Sequence, residues 1–223
     1  LRRTGRPGGR DLPEMKLGLI SDLHGDPVAL ELAWAHLTVL GADRIVCAGD
    51  LVGYGPLPDK VVSFVKDHEI PCVRGNHDRW ALERGLGVKD PFRGGAPSAE
   101  TLEFLQSLPV DRLISVDGKI VVLAHGSIRS DMEFVTRENH PPGLLNRWLD
   151  QVQADVMVFG HSHEPGSCRL DRGLFVNPGS VISAPVVTTS RTFALLDLAT
   201  LDVTFHDVES GCQVDAAPWS TTS

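Results

Sequence analysis

The fold is decided first by residues 17–24, which read Leu-Gly-Leu-Ile-Ser-Asp-Leu-His. A short apolar run predicts a buried strand, and a carboxylate and an imidazole follow it directly. Four further apolar runs are followed by metal-ligand side chains in the same way. Their polar ends are Gly49-Asp50, Gly75-Asn76-His77-Asp78, His125 and Gly160-His161-Ser162-His163. Active sites of open α/β sheets form where strands end, so we expect these side chains to meet at one sheet edge.

The side chains at these strand ends form a coherent ligand set of two Asp, one Asn and four His. Imidazole suits zinc, iron, nickel and copper, whereas carboxylate and amide oxygens suit manganese and magnesium. No cysteine belongs to the five segments, which argues against a structural zinc knuckle. Seven ligands are too many for one small ion with an open position, and they suit two ions that share a carboxylate. Two metals about 3.5–4 Å apart are the usual device for displacement at phosphorus.

The order of these motifs resembles the signature of the calcineurin-like metallophosphoesterases: Asp-x-His, Gly-Asp, Gly-Asn-His-Asp, a lone strand-end His and Gly-His-x-His. The resemblance runs from about residue 15 to about residue 207. The segments His125-Gly126-Ser127 and Asn177-Pro178-Gly179-Ser180 also resemble the small bacterial members. The resemblance implies an α/β fold, a four-layer α/β/β/α sandwich with two mixed β-sheets.

The resemblance also implies a role for each ligand and two divalent metal ions, with manganese preferred and iron, zinc or nickel as alternatives. The ligands implied for the first ion are Asp22, His24, Asp50 and His163. The ligands implied for the second ion are Asp50, Asn76, His125 and His161. Asp50 would bridge the two ions. His77 would face the scissile phosphate as proton donor or electrostatic stabiliser, so Asp50 and His77 are the implied catalytic residues.

These expectations define a hydrolase that cleaves phosphodiester or phosphoanhydride bonds of a small phosphorylated substrate with a metal-activated hydroxide. Protein Ser/Thr phosphatases of this superfamily continue Gly-Asp with x-Val-Asp-Arg-Gly. Here Gly53 replaces the Asp that would orient the catalytic His, and Tyr54 replaces an Arg that would hold phosphate. The pattern is nearer to small bacterial phosphodiesterases and relatives of diadenosine tetraphosphate hydrolases. The alternative is a non-catalytic metal-binding scaffold or protein-interaction module on the same fold.

Arginine and histidine side chains near the ligands are candidates for contact with the substrate. Arg74, Arg79 and Arg129 each lie within a few residues of a ligand, and Arg is the preferred bidentate partner of phosphate. Arg129 is favoured because it follows His125 on a loop expected to lie over the site, and a solvated charge is the alternative. His140, in the same loop, is the second candidate, with a surface or capping role as its alternative.

Two further features have both a structural and a functional interpretation. Asp78 follows His77 and opens a predicted helix, so an N-cap or a contact to a ligand is favoured over metal binding. The segment 177–180 is typical of a Pro-Gly turn, and a supporting role at the metal site is an equal alternative.

Periodicity predicts alternating strands and helices first and hairpins later. The predicted strands are 16–20, 44–47, 70–73, 112–116, 119–124, 155–159, 168–170, 174–176, 192–198 and 201–207. The predicted helices are 27–40, 58–67, 78–84, 98–107 and 143–151. Asp117-Gly118 between two of these strands is the strongest signal for a two-residue hairpin.

Composition limits the partners and the compartment. The chain has 223 residues and a formal net charge of −8, so stable binding to nucleic-acid backbone is not expected. No apolar run approaches the roughly 20 residues that span a membrane. Four cysteines without a close pairing pattern predict a reducing cytoplasm. We expect one domain over residues 15–223 after a flexible extension, residues 1–14, for which a basic arm that binds an anionic partner is the alternative.

Overall fold

The computed structural model describes residues 15–91, 94–182 and 191–216, so the expected extension over residues 1–14 lies outside the described residues. The strands are β1 (Lys16–Ile20), β2 (Arg44–Cys47), β3 (Asp111–Val116), β4 (Lys119–Ala124), β5 (Val156–Val158), β6 (Gly166–Arg169), β7 (Leu174–Asn177), β8 (Thr192–Asp197), β9 (Val203–Asp207) and β10 (Gln213–Val214). The helices are α1 (Pro27–Val39), α2 (Pro58–Asp67), α3 (Asn76–Arg84), α4 (Ala99–Ser107) and α5 (Pro142–Val152).

The strands form two mixed sheets, as the resemblance implied. The first has the order β10-β9-β8-β1-β2, in which β1 pairs parallel with β2 and antiparallel with β8. The second has the order β3-β4-β5-β7-β6, with β4, β5 and β7 parallel and an antiparallel strand at each edge. The carboxyl ends of β1 and β2 therefore share one edge of the first sheet, and those of β4 and β5 share one edge of the second.

Buried apolar side chains form three separate cores, which define four layers. Leu30 and Leu37 of α1 pack with Ile20 in a core between the helices α1, α2 and α4 and the first sheet. The core between the two sheets contains, for example, Leu19, Val46, Val121 and Val158. The third core joins α5 to the outer face of the second sheet, with Trp148, Leu149, Met157 and Phe175 among its members. The predicted α/β/β/α sandwich is confirmed.

The hairpin between β3 and β4 follows the sequence prediction. Asp117 and Gly118 both have positive φ angles, 48° and 73°, which a type I′ turn requires. Val116 and Lys119 on either side of the turn are paired in the ladder. Two helices begin with side-chain caps, since Asp26 accepts a hydrogen bond from the amide of Ala29 at 3.0 Å. Ser98 likewise accepts from the third residue that follows it.

The strand predicted over residues 70–73 is wrong in extent, because the segment makes only one parallel bridge, between Cys47 and Cys72. The carbonyl oxygen of Pro71 accepts from the amide of Cys47 at 2.9 Å, but proline has no N–H to continue the ladder. The amide of Val73 still donates to the carbonyl oxygen of Cys47 at 3.3 Å, but that of Arg74 donates to Pro109 and leaves the ladder. The segment still runs beside β2 and delivers Asn76 to the same sheet edge.

Among the described residues, no helix combines the length and the apolar character that crossing a bilayer demands.

Candidate metal centre

The loop after β1 holds the first two predicted ligands against the loop after β2. Asp22 and His24 are fully buried. Their amides donate hydrogen bonds to the carbonyl oxygens of Gly49 at 2.9 Å and of Asp50 at 2.8 Å. Because β1 and β2 are parallel neighbours, both loops leave the sheet at the same edge. The structure therefore places these three candidate ligands at one edge of the first sheet.

Asp50 is positioned by the start of α3. The amide of His77 donates to Oδ1 of Asp50 at 2.8 Å, an interaction that a helix N-terminus favours for a carboxylate. The other oxygen, Oδ2, lies 3.2 Å from Nε2 of His125 and 3.8 Å from Nε2 of His24. One carboxylate oxygen of Asp50 therefore faces imidazoles from two different strand ends.

Asp78 has a structural role that differs from the predicted N-cap. Helix α3 begins two residues earlier, with Gly75 as its N-cap, and Asp78 occupies the third helical position. Its Oδ2 accepts from the amide of Gly75 at 2.9 Å, and Oδ1 accepts from the amides of Leu51 at 2.9 Å and Val52 at 3.1 Å. Burial and the charge of Asp50 raise the pKa of Asp78 to about 7. Asp78 thus fixes the loop that carries Asp50 and does not point to the ligand set.

His125 closes the second ligand set. Its Nδ1 lies 2.8 Å from the carbonyl oxygen of Ala48, which places the ring proton there and leaves Nε2 free for a metal. Nε2 lies 2.9 Å from Oδ1 of Asn76 as well as close to Asp50. The ring of His161 has its centroid 5.1 Å from that of His125. The four residues that the resemblance assigns to the second ion therefore meet.

The segment after β5 completes the first ligand set. Nε2 of His163 lies 3.1 Å from Oδ1 of Asp22 and 3.2 Å from Nε2 of His24. The amide of His161 donates to Oδ2 of Asp22 at 3.2 Å, so this carboxylate joins the two sheets. The ligands predicted from five separate segments are thus brought into one centre.

The turn over residues 177–180 supports these loops, which decides between its two interpretations. Nδ2 of Asn177 donates to the carbonyl oxygen of Gly160 and to Oγ of Ser162, both at 2.9 Å. The hydroxyl of Ser180 donates to the carbonyl oxygen of Asp22 at 3.1 Å. The turn therefore fixes both the loop after β1 and the loop after β5.

Backbone strain is concentrated at the ligands. Left-handed backbone at a residue other than glycine costs about 1–3 kcal/mol and persists where the surroundings enforce it, often at functional sites. The ligands with positive φ are Asp22 (57°), His24 (44°), Asp50 (55°), His161 (65°) and His163 (58°). The amide hydrogen bonds that cross between the loops enforce this conformation.

The buried carboxylates of Asp22 and Asp50 are ionised and favour positive charge nearby. Burial raises the pKa of Asp22 and of Asp50, but the imidazoles of His163 and His125 outweigh it and hold both pKa values well below their ordinary range. Burial also disfavours a charged His125, yet Asp50 and Asp22 raise its pKa to about 10. Two buried carboxylates held in the ionised form are suited to binding cations.

Other features of the same residues fit divalent metal ions. Burial lowers the pKa of His24 to about 3 and that of His161 to about 4, so both favour the neutral form that ligation requires. Nε2 of His161 is buried and has no hydrogen-bond partner among the described residues. Three triads have ligand atoms within 4.8 Å of one another: Asp22, His24 and His163; Asp22, Asp50 and His125; and His24, Asp50 and His77.

His77 lies beside the ligands in an aromatic environment. Its ring centroid is 4.7 Å from that of His24, and 4.8 Å from those of Tyr54 and Trp80. Burial opposes a charge on His77, but the carboxylates of Asp90 and Asp50 raise its pKa above the ordinary value. Sequence reasoning missed Asp90, which lies in a loop without periodicity or motif.

Arg129 lines a cavity that one candidate ligand, His125, also lines. This cavity has a volume of about 320 Å³ and is lined by His125, Ser127 and Arg129 among others. The guanidinium carbon of Arg129 lies 5.1 Å from the ring centroid of Trp148, a cation–π distance. Within the part of the chain that the structure describes, Arg129 forms no ion pair. Arg129 is therefore a candidate for contact with an anion in the cavity.

Arg79 lines the same cavity, but its guanidinium is already paired. Nε of Arg79 lies 2.7 Å from Oδ2 of Asp131, and Nη1 lies 2.8 Å from Oε1 of Glu83. Arg79 is therefore a weaker candidate for a phosphate contact than Arg129.

His140 is buried in a network that supports the loop of Arg129. Nε2 of His140 lies 3.2 Å from Oε1 of Glu133, and Glu133 accepts from the hydroxyl of Ser127 at 2.5 Å. Oγ of Ser127 in turn accepts from the amide of Arg129 at 3.0 Å. The structure thus gives His140 a supporting position, and its direct contact with substrate stays a prediction.

Phe134 was not singled out by the sequence, since one aromatic residue in a loop carries no recognisable pattern. It is 47% exposed, and its ring centroid lies 4.2 Å from that of His161. A flat apolar surface therefore borders the second ligand set.

Comparison with known proteins agrees with this geometry. The sequence profile of the calcineurin-like phosphoesterase superfamily domain matches residues 15–201. The chain belongs to the calcineurin-like phosphoesterase superfamily.

Several relatives by sequence are named as phosphoesterases. Phosphodiesterase YfcE of Escherichia coli is 27% identical over 202 residues, which cover 85% of this chain and 91% of that protein. An uncharacterized protein of Methanocaldococcus jannaschii is 30% identical over 195 residues, covering 74% and 75% of the two chains. The crystal structure of a metallophosphoesterase from Sphaerobacter thermophilus is similar with a TM-score of 0.68 at 27% identity, covering 91% of this chain and 89% of that one.

Proposed function

We propose that this chain is a dinuclear metal-dependent phosphoesterase that hydrolyses phosphodiester or phosphoanhydride bonds of a small phosphorylated substrate. The observation that carries the proposal is the position of Asp50. Its Oδ2 lies 3.2 Å from Nε2 of His125 and 3.8 Å from Nε2 of His24, which belong to different ligand sets. A shared carboxylate oxygen between two ligand sets is what a two-metal site requires.

The two proposed metal sites use the ligand sets already described. The first would be formed by Asp22, His24, Asp50 and His163, and the second by Asp50, Asn76, His125 and His161. Manganese is proposed, with iron, zinc or nickel as alternatives, because the sets combine carboxylate and amide oxygens with imidazoles. When bound, two such ions supply an activated water molecule and neutralise charge that develops on the phosphoryl oxygens.

The chain's own residues then position the substrate and move a proton. His77 is held by α3 next to the ligand sets, and its amide is fixed to Asp50. We assign it delivery of a proton to the leaving oxygen, or stabilisation of the charge on that oxygen. Arg129, which is unpaired with any described acid, is assigned to a phosphoryl oxygen. His140 and Glu133 keep the loop of Arg129 in place.

Three observations support a diester or anhydride as the substrate. Gly53 and Tyr54 stand where protein phosphatases of the superfamily have Asp and Arg. One relative is named a phosphodiesterase. Phe134, half exposed beside His161, offers a flat surface to a second group on the phosphate.

A screen of substrates and metals tests the proposal. The protein is loaded in turn with manganese, iron, zinc and nickel and assayed with bis-p-nitrophenyl phosphate, cyclic nucleotides and dinucleoside polyphosphates. We expect about two ions per chain and hydrolysis of at least one of these substrates. A protein that takes up only trace metal and hydrolyses none of them is instead the scaffold that the sequence left as an alternative.

We also propose that residues 15–223 form one domain, that the protein acts in a reducing cytoplasm, and that nucleic acid is not a stable partner. The domain proposal is supported by the match of one family profile over residues 15–201. The compartment is supported by the free state of Cys47, Cys72, Cys168 and Cys212. The net charge of −8 supports the absence of stable nucleic-acid binding.

A further inference from the structure

The loop between α3 and α4 places a buried carboxylate beside His77. Asp90 is only 5% exposed, although a buried carboxylate is unfavourable without partners. Its Oδ2 lies 2.8 Å from Nη2 of Arg84 and 3.7 Å from Nδ1 of His77. Helix α3 thus carries His77 in its first turn and Arg84 at its last residue, and the loop returns Asp90 to both.

The chain cannot supply this carboxylate from position 53, where protein phosphatases of the superfamily have Asp. A Cβ on Gly53 would lie 2.4 Å from Nδ1 of His24 and 2.9 Å from Nδ1 of His77. Gly53 also has a φ of +145°, which side chains rarely adopt. The space beside His77 is therefore closed to a side chain from residue 53.

The loop that carries Asp90 is packed against Gly53. A Cβ on Gly94 would lie 1.5 Å from the carbonyl oxygen of Gly53 and 2.7 Å from Cβ of Asp90. Only a residue without a side chain fits at position 94. The approach of Asp90 to His77 is thus part of a closely packed contact and does not depend on a freely extended loop.

We propose that Asp90 is the positioning residue for His77, orienting its imidazole by accepting a hydrogen bond from Nδ1. The inference rests on the proposed function. A carboxylate at Nδ1 fixes both the rotation of the ring and the nitrogen that carries its proton, which directs Nε2 to the substrate. The separation of 3.7 Å is longer than a direct hydrogen bond. Catalytic hydrogen bonds are often long before substrate binds and tighten in the complex.

The first test is kinetic and uses the manganese-loaded protein with bis-p-nitrophenyl phosphate. Asp90→Asn should lower kcat about tenfold or more with little change in KM, because the substitution removes an orienting contact rather than a binding group. In a His77→Ala background the same substitution should cause no further loss, since Asp90 acts through His77. A loss that is as large in that background as in the parent protein overturns the proposal.

Arg84→Gln provides a matched control, because it removes the ion pair of Asp90 but leaves the carboxylate beside His77. It should reduce kcat less than Asp90→Asn does. If Arg84→Gln lowers kcat as much as Asp90→Asn does, and both losses persist in the His77→Ala background, the ion pair only stabilises the loop and the proposal is overturned.

The second test does not depend on catalysis or on a folded variant. Nitrogen-15 NMR of the zinc-loaded wild-type protein, at a pH where His77 is neutral, reports which ring nitrogen carries the proton. We expect the proton on Nδ1, and a proton on Nε2 overturns the proposal. If the wild-type protein hydrolyses nothing, the proposed function fails and this spectrum still decides the orientation. If the protein hydrolyses diesters but the proton lies on Nε2, only the role of Asp90 fails.

Discussion

The ligand edge and the rim around it are built in different ways. The ligand edge, which is the loops after β1, β2, β4 and β5 with the start of α3, is held by backbone hydrogen bonds. The amide of His24 to the carbonyl of Asp50 is one example. The rim, which is residues 85–91, 94–98 and 127–142, combines local backbone hydrogen bonds with side-chain contacts such as Arg84 to Asp90 and His140 to Glu133.

This difference separates metal binding from the orientation and choice of substrate. Ligands that follow paired strands are placed by the sheet itself, so the ability to bind metal depends on the core of the fold. Side chains in the rim are placed by a few polar contacts, and those of Ser127 and Arg129 line the cavity, so they are suited to orientation and substrate choice. We therefore expect substitutions in the edge to remove metal, and substitutions in the rim to change rate or affinity with metal retained.

The largest effect is expected from Asp50→Asn. Oδ2 of Asp50 faces both ligand sets, and an amide carries no charge, so the variant should lose both metals and all measurable hydrolysis together. Metal analysis and an assay with bis-p-nitrophenyl phosphate measure both losses. Asp26→Asn makes the same chemical change at the N-cap of α1. It should alter neither the metal content nor the hydrolysis rate, because Asn also caps helices well. Two metals in Asp50→Asn contradict the assignment of the edge.

His77→Ala tests whether His77 belongs to the metal ligands or lies beside them. We expect the variant to keep its metals and to lose roughly 10²–10⁴-fold in kcat, the range for removal of a general acid or base. His68→Ala, at the carboxyl end of α2, is the control and should behave as the parent protein. If His77→Ala loses metal, His77 is itself a ligand, as its place in the triad with His24 and Asp50 would allow.

Arg129→Ala should have a smaller effect, confined to the rim. Loss of a hydrogen bond to a charged group costs about 1.5–3 kcal/mol, which corresponds to a decrease of roughly 10–100-fold in kcat/KM. Arg79→Ala is a matched control, because Arg79 lines the same cavity but is paired with Asp131 and Glu83. An Arg79→Ala variant that loses as much as Arg129→Ala shows that the pairing does not decide which arginine binds phosphate.

The smallest expected effect is a preference between substrates. Without Asp at position 53 and Arg at position 54, we expect phosphodiesters to be cleaved about tenfold better than phosphoserine peptides. The comparison uses kcat/KM with the same metal, because this ratio reports discrimination in the transition state. A phosphopeptide that is preferred tenfold shows that another cation in the rim has replaced the missing contact.

The same comparison explains what the sequence could predict. The ligands and the Asp117-Gly118 hairpin were predictable because a strand followed by a polar motif is a local pattern. The segment over residues 70–73 was overestimated because Pro71 interrupts a ladder that its apolar neighbours favour.

Local sequence patterns do not predict side-chain contacts between residues that are far apart in the chain. Asp78 was expected to be an N-cap or to contact a ligand, yet its carboxylate accepts hydrogen bonds from the amides of Gly75, Leu51 and Val52. Asp90 had no signal at all, because its partners Arg84 and His77 are brought to it only by the packing of the loop on Gly53.

The most direct test of the central claim is a crystal structure of the manganese-loaded protein with anomalous scattering recorded for the metal. The account predicts two ions per chain at full occupancy, with the carboxylate of Asp50 bound to both. A single ion at full occupancy, or an Asp50 side chain turned away from the ions, contradicts it.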